Sequence, residues 1–249
     1  MNFMRIDLDR LKPEEVDTVT PMERRTFLKL GLAVTGVYAG GKILSLVSNI
    51  GTAEAINFDP GMEYPYRPHY SMLIRQDRCI DCERCLMACA RTNNVPEYGY
   101  RTNILQRNAP EAIGQKREFI PVLCNHCNNP PCVRACPTSA TYKDEETGIV
   151  RMRPERCIGC KTCMLACPYN ARYLRGRIVD KCDFCYEARL SKGMELTACA
   201  EACPADVRIF GSMSDKDSRI YRMIHQLQKP VWVLRPETGT EPFVFYMKG

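Results

Sequence analysis

Cys157-Ile158-Gly159-Cys160-Lys161-Thr162-Cys163-Met164-Leu165-Ala166-Cys167-Pro168 is the stretch on which the reading of this chain turns. Its cysteines stand in the order C-x-x-C-x-x-C-x-x-x-C, and a proline follows. The same spacing occurs upstream in Cys79-Ile80-Asp81-Cys82-Glu83-Arg84-Cys85-Leu86-Met87-Ala88-Cys89, so the chain carries an internal repeat. Two further groups stretch one gap. Cys124, Cys127, Cys132 and Cys136 leave four residues between the second and third cysteines, and Cys182, Cys185, Cys199 and Cys203 leave thirteen. The 16 cysteines of the 249-residue chain all fall into these four groups.

The unstretched spacing is the one that holds cubane iron–sulfur clusters. Three cysteines on a C-x-x-C-x-x-C loop wrap one cluster, with backbone amides turned toward its sulfides. The fourth cysteine, three residues on, starts a helix that leads away and ligates the other cluster of a pair. Proline follows Cys136, Cys167 and Cys203, fixing its own φ and biasing the cysteine before it toward extended backbone. Cys89 is followed by Ala90 instead. Zinc would use two Cys-x-x-Cys pairs per ion and leave the third cysteine and the Cys-Pro without a role. A secreted disulfide scaffold is usually short, with irregular spacings. Four complete sets therefore imply four [4Fe–4S] clusters and a chain that conducts electrons.

The N-terminus points to export. Glu23-Arg24-Arg25-Thr26-Phe27-Leu28-Lys29 resembles a twin-arginine motif, with Glu23 where a hydroxyl residue is more usual. Leu30–Val47 is moderately apolar, interrupted by glycines and Lys42, and Ala53-Glu54-Ala55 supplies a small-x-small cleavage site before Ile56. An uncleaved anchor or a surface amphipathic helix is the alternative. The two features cohere, because the twin-arginine route carries folded proteins with cofactors already inserted. Bare thiols would risk oxidation outside.

The formal charge is +6, and residues 1–55 hold seven basic and seven acidic side chains, so the mature part also carries +6. Four oxidised cubanes with their thiolates, at about −2 each, would bring the holoprotein to about −2. Arg78, Arg84, Arg134, Arg156 and Lys161 are the basic residues expected to offset that charge. A nucleic-acid partner loses its support once the clusters are counted.

Cys124-Asn125-His126-Cys127-Asn128-Asn129-Pro130-Pro131-Cys132-Val133-Arg134-Ala135-Cys136-Pro137 resembles the second motif of the four-cluster iron–sulfur subunits of the dimethyl-sulfoxide-reductase superfamily, including polysulfide-reductase, NrfC-type and DsrO-type subunits. The likeness runs from about Ser71 through Leu234-Arg235-Pro236-Glu237-Thr238-Gly239-Thr240-Glu241-Pro242. It implies an α+β fold of two fused bacterial-ferredoxin-like halves with insertions and a C-terminal extension. The expected divisions are a signal segment at 1–55, a linker at 56–70, the double ferredoxin-like domain at 71–204 and the extension at 205–249. The resemblance also implies how ligands are shared. Cys79, Cys82 and Cys85 would join Cys203; Cys182, Cys185 and Cys199 would join Cys89. Cys124, Cys127 and Cys132 would join Cys167; Cys157, Cys160 and Cys163 would join Cys136. Some relatives replace a ligand of the third group by Trp and hold a [3Fe–4S] cluster; Cys160 here implies a full cubane.

Elsewhere the readings are plainer. His126 sits inside a complete cysteine set and reads as packing or support for the ligands. Met87 and Met164 read as packing against a cluster. Ala90–Leu123, with Tyr98, Tyr100 and Arg101, and Tyr186–Ala198 are expected recognition surfaces. Glu118–Leu123, Gly148–Met152, Val207–Phe210, Val231–Leu234 and Phe243–Met247 read as strands or extended arms. Ser214-x-x-Asp217 reads as the start of a helix with Ile220, Met223, Ile224 and Leu227 on one face, closed before Pro230.

No segment after residue 55 has the length and apolarity of a membrane span, so membrane association would come through partners. No nucleophile, acid–base pair or nucleotide loop stands out, so no substrate-converting site is expected on the chain itself. The function expected is an exported electron-transfer subunit on the outer face of the cytoplasmic membrane. It would dock on a polytopic, quinone-interacting NrfD-like subunit, with a further redox subunit, either a multihaem cytochrome or a molybdopterin protein. The alternative is the electron-transfer subunit of a molybdopterin oxidoreductase for polysulfide, tetrathionate or a similar acceptor.

Overall fold

Tyr70–Arg75 (β1) lies just upstream of the first cysteine group and is buried through its four central residues. A strand alternates its side chains between two faces, and here both faces are covered. Met72 and Ile74 join one core with Cys85, Cys124, Cys182 and Cys199. Leu73 points the other way, into a second core with Ile209, Ile220, Ile224 and Phe245. The computed structural model describes residues 63–108, 117–226 and 230–248, all within one compact unit. The twin-arginine motif, the apolar stretch after it, the cleavage site and Leu227 lie outside the described residues.

β1 is an inner strand of a four-stranded sheet. Arg208–Ser212 (β8) pairs with it antiparallel, Met72 opposite Phe210, and Val244–Met247 (β10) pairs parallel, Met72 opposite Val244. Val231–Trp232 (β9) closes the far edge. The segment after residue 204 therefore supplies three of the four strands. Arg219–His225 (α5) covers the face carrying Leu73, with Ile220 and Ile224 buried. Its cap is Ser218, whose hydroxyl accepts from the Tyr221 amide at 3.2 Å, not Ser214 as the motif suggested. Ser214 is engaged instead with the Ser212 hydroxyl, at 2.8 Å, and a turn from Asp215 to Ser218 separates it from the helix.

Three hairpins complete the described fold. Thr102–Asn108 (β2) pairs with Arg117–Leu123 (β3); Thr141–Lys143 (β4) with Val150–Met152 (β5); and Tyr173–Arg175 (β6) with Ile178–Asp180 (β7). The small hairpins β4-β5 and β6-β7 follow the second and third cysteine groups. Among the described residues no helix is long and apolar enough to cross a membrane.

The helices correct one expectation. In three of the four groups the helix lies before the fourth cysteine instead of starting there. Pro131–Arg134 (α2), Thr162–Leu165 (α3) and Ala198–Glu201 (α4) have 4 residues each and stop short of Cys136-Pro137, Cys167-Pro168 and Cys203-Pro204. Proline disfavours helical backbone at the residue before it and cannot continue the hydrogen-bond ladder. Arg84–Asn93 (α1) has no such stop after Cys89 and runs on to 10 residues.

Candidate iron–sulfur sites

All four Cys-x-x-Cys loops share one left-handed position. The residue before the second cysteine is left-handed in each, with φ of 54° at Asp81, 46° at His126, 69° at Gly159 and 53° at Phe184. Only Gly159 takes this conformation without steric cost, so the other three loops hold a strained turn that the surroundings maintain. Such turns bring consecutive N–H groups onto one concave side, a nest suited to an anion. A second left-handed residue lies three past each Cys-Pro cysteine, at Ser139, Asn170 and Asp206. After Cys89 the helix continues and that turn is missing.

The turns collect the cysteines into four sets, each drawing three from one group and one from another. Cys79, Cys82, Cys85 and Cys203 line one cavity, with Ile80, Val207 and Arg208. Cys157, Cys160, Cys163 and Cys136 line another, with Thr141, Met152 and Val179. Cys89 lies among Cys182, Cys185 and Cys199, and Asn93 donates to both Cys89 Sγ, at 3.6 Å, and Cys185 Sγ, at 3.5 Å. Cys167 lies among Cys124, Cys127 and Cys132. Backbone amides also reach sulfur: Val207 N–H to Cys203 at 3.3 Å, Phe184 N–H to Cys182 at 3.4 Å, and Thr141 and Val179 N–H to Cys136 and Cys157 at 3.5 Å.

Burial raises the thiol pKa of Cys79 to about 11 and of Cys127 to about 12; neighbouring thiols add to it. Cys182, fully enclosed with Cys89 and Cys185 beside it, goes well above the ordinary range. Crowded thiols of this kind keep their protons until a cation takes their place. Among the described residues no three His, Cys, Asp or Glu side chains converge as they would on a single ion. Two of the sets ring cavities, which suits a polynuclear cluster better than zinc.

Buried cations complete the fit. The guanidinium of Arg208 is enclosed beside Cys85 and Cys199 and donates to Cys85 Sγ at 3.7 Å and to the Thr102 hydroxyl at 2.8 Å. Arg172 is enclosed beside Cys132, Cys124 and Cys163 and donates to the Thr141 hydroxyl at 3.1 Å. Arg208 Nη1, Arg172 Nη2 and His126 Nε2 are buried without a hydrogen-bond partner in the protein. Orphaned buried donors are rare in native proteins. Beside rings of cysteines they match the sulfides of an anionic cluster.

The basic residues chosen by sequence proximity, Arg78, Arg84, Arg134, Arg156 and Lys161, are all exposed. Arg172 and Arg208 were missed, although a signal was present: each stands five residues after a Cys-Pro cysteine, in Cys167-Pro168-Tyr169-Asn170-Ala171-Arg172 and Cys203-Pro204-Ala205-Asp206-Val207-Arg208. The guanidinium of Arg101 turns inward. It is held by Asp180 at 2.9 Å and Asp183 at 2.8 Å and donates to Asn93 Oδ1 at 3.0 Å, so it braces the loop bearing Cys182 and Cys185. Asp183 in turn accepts from the Cys185 amide at 3.0 Å. Tyr98 remains exposed, while Tyr100 donates to the Asn170 carbonyl at 2.8 Å. His126 packs as expected, its ring stacked on Phe184 and its Nδ1 accepting from the Val150 amide at 3.2 Å. Met164 packs beside Cys132 and Cys163, but Met87 is at the surface.

Residues 115–213 match the family described as 4Fe-4S dicluster domain, and residues 76–98 match a 4Fe-4S binding domain. The chain is 43% identical over 185 residues to the tetrathionate reductase B subunit of Salmonella typhimurium, covering 73% of each. It is 38% identical over 180 residues to the protein NrfC of Escherichia coli, covering 71% of this chain and 79% of that one. It is 43% identical over 162 residues to the thiosulfate reductase electron transfer subunit PhsB of Salmonella typhi, covering 63% of this chain and 82% of that one. With ferredoxin-like cluster-binding domains and relatives of this length and identity, the chain belongs to the family of 4Fe–4S iron–sulfur subunits that includes NrfC and the tetrathionate reductase B subunit.

Proposed function

We propose that the chain relays electrons through four [4Fe–4S] clusters as the iron–sulfur subunit of a membrane-associated respiratory complex. The observation that carries this is the gathering of all sixteen cysteines into four sets of four. Each set would hold one cluster, which supplies a reversible one-electron centre. The protein's part is to enclose the clusters, hydrogen-bond their sulfurs and keep them in series.

Proximity suggests the series. The Cys79 set meets the Cys89 set where Cys85 approaches Cys199. The loops of the Cys89 and Cys124 sets meet where Phe184 stacks on His126. The Cys124 set meets the Cys136 set where Cys163 approaches Cys132. Cys82 and Cys160 are the two exposed cysteines, one in each outer set. Beside them Ile80 is 65% exposed, Ile158 67% and Leu165 88%, apolar tips suited to partner surfaces. Electrons would enter at one end and leave at the other.

The partners proposed are a polytopic, quinone-interacting NrfD-like subunit and a further redox subunit, with the complex on the outer face of the cytoplasmic membrane. The twin-arginine motif supports that location. Substituting Arg24 and Arg25 by Lys should retain the chain in the cytoplasm; unchanged export would remove the motif from the argument. A second reading, the electron-transfer subunit of a molybdopterin reductase, draws on the likeness to the tetrathionate reductase B subunit. The deciding experiment is the composition of the native complex purified without oxygen. About sixteen irons per chain, a polytopic subunit and multihaem cytochrome are expected; molybdenum with a large pterin-bearing chain would select the second reading. A zinc-loaded chain without iron would sink both.

A further inference from the structure

We infer that Arg172 and Arg208 are a matched pair of potential-setting residues, each serving two adjacent clusters. The inference rests on the four-cluster reading above. The two arginines occupy the same place in the cysteine repeat, five residues after Cys167 and Cys203. Both are almost fully buried, at 1% and 3% exposure, and neither faces a carboxylate in an ion pair among the described residues. Each binds one buried threonine hydroxyl, Thr141 for Arg172 and Thr102 for Arg208. Each also keeps one Nη donor without a protein partner.

Their neighbours are cysteines of two sets at once. Arg208 donates to Cys85 of one set at 3.7 Å and lies within electrostatic reach of Cys199 of the next. Arg172 lies within electrostatic reach of Cys132 and Cys124 of one set and Cys163 of the next. An unpaired buried guanidinium is costly, so a counter-charge must meet it, and among the described residues the cysteines of the two neighbouring sets, with the clusters they would hold, are placed to supply it. A fixed cation in a low-dielectric site favours the more negative, reduced form of each neighbour. Arg172 and Arg208 would therefore raise the potentials of the two clusters that flank each one. They act through the clusters as positioning residues for the electron, not as ligands.

The test uses the purified complex carrying R172Q, R208Q and the charge-conserving R172K and R208K. Iron content is measured together with an anaerobic redox titration followed by electron paramagnetic resonance. R208Q should keep its iron and move two of the four reduction steps to lower potential; R172Q should move the other two. The Lys variants should titrate between Gln and the parent. Full iron with unmoved potentials would overturn the inference while leaving the four-cluster reading intact. A uniform shift of all four steps would also overturn it. Should a Gln variant lose iron, its Lys variant decides: a shift confined to the flanking pair supports the inference. Unshifted potentials or iron loss in that variant too would show that the residue serves the fold alone. Fewer than four reduction steps in the parent complex would instead count against the cluster reading.

Discussion

His126 and Phe184 stack face to face, ring centroids 3.8 Å apart with 25° between their planes. Each is the left-handed residue of its own Cys-x-x-Cys loop, with φ of 46° and 53°. Each is also fully buried. The contact therefore joins two cluster-binding loops at equivalent points of the repeat, and ties the region around Cys182 to that around Cys124. Phe210 extends it edge-on, 5.2 Å from Phe184, into the central sheet.

Phe184→Ala should remove this packing and lower stability by about 3–5 kcal/mol, as for other large buried aromatics. Phe184→Leu should cost less. Anaerobic thermal unfolding of the three proteins checks the order; an unchanged midpoint in the alanine variant would show that the stack carries no weight.

The cross-ligation has its own test, because paired cysteines should behave alike. Cys203→Ser and Cys82→Ser are expected to alter the same reduction step, since those residues line one cavity. Cys89→Ser and Cys185→Ser should alter a different one. Cys203→Ser matching Cys185→Ser instead would mean that each group closes its own cluster.

Gly159→Ala should disturb the cluster of the Cys157 set. Strain alone does not forbid a side chain there, since Asp81 takes the same turn in the first loop at φ 54°. Space decides it: a Cβ on Gly159 would run into the Arg177 carbonyl oxygen, which is backbone and cannot step aside cheaply. Adding about 1–2 kcal/mol for the left-handed turn, we expect iron to fall by about four per chain, with the other three clusters retained. Normal iron content would refute the close approach.

His69 is enclosed by the rings of Tyr64, Tyr66 and Phe243, with its pKa lowered to about 4 by burial and by nearby Lys143. The unfolded chain takes up its proton near pH 6.5, so between pH 6.5 and about 4 the unfolded state binds more protons. Its contribution to stability is intact above pH 6.5, declines as the pH falls through that window, and levels off below it. His69→Phe, which suits the aromatic surroundings, should flatten that part of the pH profile. Denaturation midpoints measured from pH 7 to pH 4 for both proteins give the comparison, and parallel profiles would contradict it.

The chemistry was legible in the sequence because ligation is local. A cluster loop needs three thiolates within a short, sharply turned run, and that demand leaves a fixed spacing in the chain. Even the odd group was visible: Ala90 in place of proline after Cys89 marks the helix that runs on to Asn93. The strands around the second and third groups were legible as short apolar runs for the same local reason. The tertiary structure alone decided what depends on burial and distant neighbours. Arg101 looked like part of a binding loop until Asp180 and Asp183 closed on it from elsewhere in the chain. The exposed arginines beside the cysteines looked like the counter-charges, whereas Arg172 and Arg208, buried between sets, hold that place. The segment after residue 204 looked like an extension, yet it forms most of the sheet, because parallel pairing of β10 with β1 links residues that no local pattern connects. Spacing specifies which atoms bind; only folding specifies which charges and rings surround them.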